Sequence, residues 1–273
     1  MSSLKYLNVG CGSKFHPDWI NVDMVSRSPQ VRAHNLLKGI PFPDNEIDVI
    51  YHSQVLEHIP KEMAASFVSE SFRVLKPGGT MRVVVPDLEN IVTEYLTFLR
   101  QNLENPTPIS EANYDWIVLE MYDQTVRNDA GGQMAKFLEK PEVVNEDYVI
   151  DRIGYVGQSI RNKFLQQNSV LEGKPSLKVR VKELLRSLYN TTNRLITTKE
   201  HRIGRFRLGG EIHQWMYDRY SLARLLRECG FVEATVRTPT ESGVENWGKY
   251  ELDVKNGIAY DPTSLFMEAK KPI

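Results

Sequence analysis

The sequence predicts an α/β fold, and three observations carry the prediction. A short apolar run, Tyr6-Leu7-Asn8-Val9, ends abruptly at Gly10-Cys11-Gly12. Further short apolar or β-branched runs follow over the first hundred residues, separated by turn signals and then by helix-period segments. One such segment stops at Lys76-Pro77-Gly78-Gly79 and gives way to the strand-like Thr80-Met81-Arg82-Val83-Val84-Val85. Glycine lacks a Cβ and lets a ligand approach the backbone closely. A strand that breaks into glycines at the carboxyl edge of a parallel sheet is where α/β folds take nucleotide-like ligands.

Composition sets the outer bounds. With 41% hydrophobic and 25% charged residues the chain is globular rather than disordered. A net charge of −1 provides no global field for nucleic acid, so nucleic acid is disfavoured as a partner. Cys11 and Cys229 make no disulfide framework, and neither they nor the histidines have metal-ligating spacing, so no metal is expected. No stretch resembles a signal peptide or reaches bilayer length, which makes a cytoplasmic setting the expectation. The 273 residues suit one large domain carrying an insertion.

In chain order, Trp19-Ile20-Asn21-Val22-Asp23 reads as a second strand ending in an acid. Asp23 can accept hydrogen bonds from ribose hydroxyls, or serve a cap or turn. The segment between Gly12 and Asp23 contains Pro17 and is too short for the usual crossover helix, so a loop or single turn is expected. Residues 31–36 read as a third strand, residues 40–45 as a proline-rich link, and residues 46–51 as a central fourth strand. A loop over 53–59 leads to Pro60, which suits the first turn of a helix. Met63, Phe67, Phe72 and Leu75 approximate that helix's apolar face. After the fifth strand, Asp87 can cap a helix in which Leu88, Ile91, Val92, Tyr95 and Leu99 share a face.

These motifs together resemble class I methyltransferases that use S-adenosylmethionine, of the type 11 kind. The resemblance rests on Leu-Asn-Val-Gly-Cys-Gly, the acid at Asp23, Leu-Lys-Gly-Ile-Pro-Phe-Pro-Asp-Asn-Glu-Ile-Asp-Val-Ile, Val-Leu-Glu-His and Phe-Arg-Val-Leu-Lys-Pro-Gly-Gly, in that order over residues 4–86. It implies a Rossmann-like sheet of seven strands with a reversed final hairpin, and S-adenosylmethionine as cofactor. It implies that the loop of Gly10, Cys11 and Gly12 lines the methionine part of the cofactor. Asp23 then binds ribose, Asn35 and Leu36 lie beside adenine, and His52 and Ser53 lie near the sulfonium. Asn8 stands where the family usually has Asp or Glu, and Asn35 where it often has Asp; both keep hydrogen-bonding capacity without the charge. The compact first half is similar to methyltransferases associated with surface-polysaccharide and glycolipid synthesis.

The expected organisation is a cofactor-binding core over 1–100, a mostly helical insertion over 101–208 acting as lid or substrate subdomain, and a second core part over 209–273. Gly131-Gly132 interrupts the insertion, and 174–208 is rich in Lys and Arg. There Val181, Leu184, Leu185 and Leu188 fit one helix face, with Lys178, Lys182 and Arg186 on another. Such a helix can bind phosphate or lie on an anionic membrane at its inner face, or be a solvated face over a core stripe. Gly209-Gly210 reads as a hinge. Ser221 reads as the cap of a helix whose buried face is Leu222, Leu225, Leu226 and Cys229 and which ends at Gly230. Phe231 to Thr238 and Leu265 to Ala269 are the last two strands.

Methyl transfer to a hydroxyl needs a positioned base. His213, where the chain re-enters the core, and His58, in Leu-Glu-His, are the base candidates, with His213 preferred. Glu57 and His58 can equally be structural, and Asp87 is better explained as a helix cap. The expected acceptor is a sugar or glycolipid precursor, either small or lipid-linked. Another small metabolite as acceptor, or a binding protein that keeps the fold without turnover, are the alternatives.

Overall fold

The computed structural model describes residues 4–170 and 197–273. Five strands open the chain: β1 (Tyr6–Val9), β2 (Ile20–Asp23), β3 (Val31–Ala33), β4 (Ile47–Ser53) and β5 (Leu75–Pro86). Helix α1 (Lys61–Val74) joins β4 to β5. Near the end of the chain come α7 (Arg219–Glu228), β6 (Val232–Arg237), a two-stranded ribbon β7 (Val254–Lys255) and β8 (Ile258–Ala259), and β9 (Ser264–Lys270). The seven-stranded sheet has the order β3-β2-β1-β4-β5-β9-β6. Strands β1 to β5 are parallel; β9 runs antiparallel to both β5 and β6. This is the Rossmann-like arrangement with a reversed final hairpin that the motifs imply. The strand order reverses between β1 and β4, and that switch point is where such sheets hold ligands.

Both faces of the sheet are covered, so the central strands read as continuous apolar runs rather than alternating ones. The period of two survives in which core each side chain joins. Leu7, Val9, Ile50, Met81, Val83 and Val85 pack with α1 and α7 on one face. Tyr6, Val49, Tyr51, Val84 and Phe266 join Trp19, Trp247 and Tyr250 on the other. The excursion between β6 and β9 adds Val244, Trp247, Tyr250 and Leu252 to that face, and the buried Arg82 side chain ties the excursion down. Its guanidinium donates to Asp253 (2.8 Å), Glu268 (2.8 Å), and the carbonyls of Thr238 (2.8 Å) and Glu241 (3.0 Å). It also lies 4.6 Å from the Trp247 ring centroid, an arrangement suited to a planar cation.

Two helix details differ from the sequence expectation. The buried stripe of α1 is Ala64, Phe67, Val68, Ser71 and Val74; Met63 is exposed and Leu75 already belongs to β5. The helix starts at Lys61 and ends before Leu75, so its buried stripe falls on a different set of positions from the expected one. Asp218, rather than Ser221, is the N-cap of α7: its carboxylate accepts from the Tyr220 and Ser221 amides, and Ser221 closes a capping box. The Ser221 amide holds the Asp218 carboxyl below its usual range. The cap's contribution is therefore present above the ordinary Asp pKa and lost as pH falls through the lowered one. Asp218→Ala is expected to cost about 1 kcal/mol, read from a denaturant midpoint at pH 7.

The chain divides into two compact units: Met1–Leu96 with Asp151–Tyr155 and His213–Ile273, and Thr97–Ile150 with Val156–Ile212. The second unit contains the C-terminal part of α2 (Leu88–Glu104) and most of α5 (Glu146–Val170), together with α3 (Pro108–Val126), α4 (Gly132–Leu138) and α6 (Lys199–Arg207). In it Trp116 packs on Phe137, and Arg161 gathers the carbonyls of Leu138 and Pro141 and the Glu146 carboxylate. Gly132 is required where it stands. Its φ is +54°, and any Cβ would collide with the Asp123 carboxylate, which accepts from the Gln133 amide. The amphipathic stretch at 178–188 lies outside the described residues. Among the described residues no helix is long and apolar enough to cross a membrane.

Candidate functional site

The glycine loop leaves β1 at the switch point. The amides of Gly10 and Cys11 both donate to the Val22 carbonyl (2.8 and 3.3 Å), so the loop begins by folding over β2. No helix separates Gly12 from β2, as the short spacing predicts. A polar hub does the work of that missing helix. Asn8, almost wholly buried, donates from Nδ2 to the Lys14 carbonyl (2.9 Å) and to Asn21 Oδ1 (3.3 Å). Asn21 in turn donates to the carbonyls of Trp19 and His16. A carboxylate at position 8 could not donate to Lys14, and burying its charge would be costly, which accounts for the uncharged residue there. Asn8 therefore shapes the loop from beneath and does not line the open edge.

Asp23 closes the loop from the neighbouring strand. Its Oδ2 accepts from the Gly12 amide at 2.8 Å and its Oδ1 from the Val25 amide at 3.1 Å. Two bonds leave a carboxylate with acceptor capacity to spare, and the side chain is held in place while still partly exposed. Asn35 lies beyond β3 at the same sheet edge, where its Oδ1 accepts from the Leu37 amide and caps the turn Leu36–Lys38. Met24, Val25 and Leu37 are large apolar residues at least half exposed there, a surface suited to a flat heteroaromatic ring. On the other side of the switch point, Ser53 ends β4. Gln54 follows with φ +56° and donates from Nε2 to Ser264 Oγ at 3.0 Å. Val55 then packs into the concavity of Gly10.

The two glycines do different jobs. A Cβ on Gly10 would lie 2.5 Å from Val55 Cγ2, whereas one on Gly12 would meet nothing and project into open space. Gly10→Ala is expected to destabilise the protein through that clash. Gly12→Ala should cost only about 1 kcal/mol of strain at its φ of +52°, yet obstruct whatever ligand approaches the loop. A melting curve and a cofactor titration on each variant separate the two roles.

Two expected cofactor neighbours are placed differently. His52 is fully buried against Phe67, with neither ring nitrogen hydrogen-bonded among the described residues, and burial lowers its pKa to about 3. It is a neutral core residue, because its position on β4 points into the helix-covered face. Cys11 is also buried; burial raises its thiol to about 12, so it packs as a small apolar group rather than acting as a thiolate.

A second cluster forms from segments far apart in sequence. Glu57 and His58 lie on the turn Leu56–His58, and the Glu57 carbonyl accepts from the amides of Gln214 (2.6 Å) and Trp215 (3.2 Å). The Tyr217 carbonyl accepts from Leu88 at 2.9 Å, so residues 213–217 are pinned past the end of β5. The His58 and His213 rings consequently meet at 4.7 Å, nearly perpendicular. His58 Nε2 lies 3.9 Å from Glu57 Oε1. Glu57 is wholly buried, no hydrogen bond reaches either of its carboxylate oxygens among the described residues, and burial raises its pKa to about 8. Tyr217 is raised to about 12, by burial first and the Glu57 charge second. Asp87 accepts from the Glu89 amide at 3.0 Å, the capping role expected of it.

The sequence pairs His58 and His213 as candidates but has no signal that they touch, because a long insertion separates them. Gln54 and Val55 fall in the loop expected over 53–59, Val55 within Val-Leu-Glu-His, but neither carries a sequence signal for its role; a positive φ at Gln54 leaves no trace in residue type.

Residues 7–83, which contain the glycine loop, Asp23 and Glu57-His58, match the family model of a methyltransferase domain. A probable S-adenosylmethionine-dependent methyltransferase from Mycolicibacterium smegmatis is 44% identical over 63 residues. That match covers 23% of this chain and 24% of the relative, so the chain spans about a quarter of the length of the curated relative it matches. A solved methyltransferase from Methanosarcina mazei overlaps 98% of this chain and 92% of its own at 14% identity and a TM-score of 0.41. One from Thermotoga maritima, described as a possible histamine N-methyltransferase, overlaps 99% and 84% at 11% identity and a TM-score of 0.39. Those overlaps are loose, and the fold rests on the sheet order and register themselves.

Proposed function

We propose that this protein is an S-adenosylmethionine-dependent methyltransferase that O-methylates a sugar or glycolipid precursor. The observation that carries the cofactor is the Gly10-Cys11-Gly12 loop tied to Asp23 at the switch point of the β3-β2-β1-β4-β5-β9-β6 sheet. The residues fit the group: Gly12 leaves open the space a Cβ would fill, and Asp23 retains acceptor capacity for ribose hydroxyls. Asn35 and Leu36 stand at the adenine end, and Gly10 and Ser53 flank the methionine end. The bound cofactor supplies an electrophilic methyl carbon on a sulfonium.

The protein's own residues then position the acceptor and accept its proton. The acceptor hydroxyl gives up that proton at the His58–His213 pair, with His213 as the base. Its imidazole is held by the 213–217 strip and abutted by the His58 ring, which fixes its orientation. The similarity of the first half to enzymes of surface-polysaccharide and glycolipid synthesis supports a saccharide acceptor. The basic composition of 174–208 supports one that carries phosphate or a lipid at an anionic membrane face. Incubation with methyl-labelled cofactor and a panel of nucleotide sugars and lipid-linked saccharides is expected to label at least one of them. Labelling confined to other small metabolites removes the saccharide part, and cofactor binding with no labelling of any acceptor favours a non-catalytic protein.

A further inference from the structure

We infer that Glu57, His58 and His213 form a binding site for a divalent transition-metal ion, two imidazoles and one carboxylate with coordination positions left open. The spacing of the histidines along the chain predicts no metal set; the set exists because the 213–217 strip returns to the Glu57 carbonyl. One ligand atom from each of the three residues lies within 4.8 Å of the others, close enough for small rotations to bring them around one ion. The imidazole pair meets edge to face at 4.7 Å, so the two rings do not stack and can direct nitrogens toward a common point.

The second observation is independent of that proximity. Glu57 is 0% exposed, and neither of its oxygens accepts a hydrogen bond among the described residues. A buried carboxyl without donors carries a large desolvation cost, which an ion at its free oxygens would offset. His58 Nε2 stands 3.9 Å from its Oε1. The chemistry of the donors selects the ion. Imidazole nitrogen favours Zn²⁺ and its first-row neighbours, and two nitrogens with one oxygen suit Mg²⁺ and Ca²⁺ poorly. Three protein ligands with positions open is the pattern of metal sites that bind exchangeable ligands rather than structural ones. His58, the most exposed of the three, marks the side from which an ion enters.

This inference does not rest on methyl transfer, since binding alone reads it. If both hold, an ion held by His213 would supply Lewis-acid polarisation of the acceptor hydroxyl in place of proton removal by that imidazole.

The test uses the full chain stripped with chelator and dialysed, then titrated with Zn²⁺ against a chromophoric chelator and with Co²⁺ by visible absorption. One saturable equivalent is expected, with Co²⁺ ligand-field bands and no thiolate charge transfer. His213→Ala and Glu57→Gln should each weaken Zn²⁺ at least tenfold. His58→Gln, at the most exposed ligand, should do the same while its melting curve matches wild type, which guards against misfolded variants. His16→Ala, outside the cluster, should leave binding unchanged. Absence of saturable binding overturns the inference. So does Zn²⁺ affinity that His58→Gln leaves unaltered, or a thiolate band that moves the ion to a cysteine.

Discussion

Arg82→Ala is expected to lower the stability of the protein by about 3–5 kcal/mol, the largest effect of any single substitution considered. The reason is what remains behind. The side chain is 0% exposed and is the shared partner of Asp253 and Glu268, themselves buried. Truncation leaves two carboxylates in a low-dielectric interior and removes the donors to the Thr238 and Glu241 carbonyls. The excursion between β6 and β9 then loses its central cation and keeps the Tyr51 hydroxyl bonds to Asp253 and the Leu252 carbonyl, the Ser242 and Gly243 bonds to Glu268, and the packing of Trp247 and Tyr250. A chain of this size should lose roughly 10 °C in melting temperature for that change. Urea unfolding followed by circular dichroism measures it, and a shift under 1 kcal/mol would contradict the role given to Arg82.

Asp23→Ala is expected to reduce S-adenosylmethionine affinity about 100-fold with a small effect on stability. Two hydrogen bonds from ribose hydroxyls to a carboxylate, each contributing about 1.5 kcal/mol, give about 3 kcal/mol, or two powers of ten. The substitution also frees the Gly12 amide, so part of the loss is a loosened loop. Asp23→Asn separates the contributions: it keeps an acceptor for Gly12 but not the charge, and should fall between wild type and alanine in a labelled-cofactor binding assay.

Much of the fold was legible in the sequence because its strongest signals are local. Glycine after an apolar run, proline at a helix start and Lys-Pro-Gly-Gly before a β-branched run each act within a few residues, and the strands lie near where those signals put them, except that β3 stops at Ala33, with Leu36–Lys38 a turn, and β5 begins at Leu75, so that Lys-Pro-Gly-Gly falls inside it. Boundaries set by tertiary packing were less legible. The apolar residues of α1 outnumber its buried positions, and only packing on the sheet selects Ala64 and Val68 over Met63. Asp218 outcompetes Ser221 for the cap because both belong to one capping box, in which either residue type fits the cap position.

At the site the same division holds. Gly10, Gly12 and Asp23 are recognisable from type and order, since each is required by backbone geometry or by charge. His52 reads as a site residue in sequence because it follows the central strand, yet strand alternation turns it into the core. Asn8 reads as a weakened cofactor ligand, whereas its amide is the donor that a loop without a helix needs. The meeting of Glu57, His58 and His213 depends on a return of the chain after a long insertion, which no local pattern encodes.

The most direct measurement is a calorimetric titration of the wild-type protein with S-adenosylhomocysteine. The placement of Gly12 and Asp23 at the switch point predicts saturable one-to-one binding that Gly12→Ala and Asp23→Ala both weaken. A folded protein that binds none, or binds with an affinity indifferent to both substitutions, would contradict it.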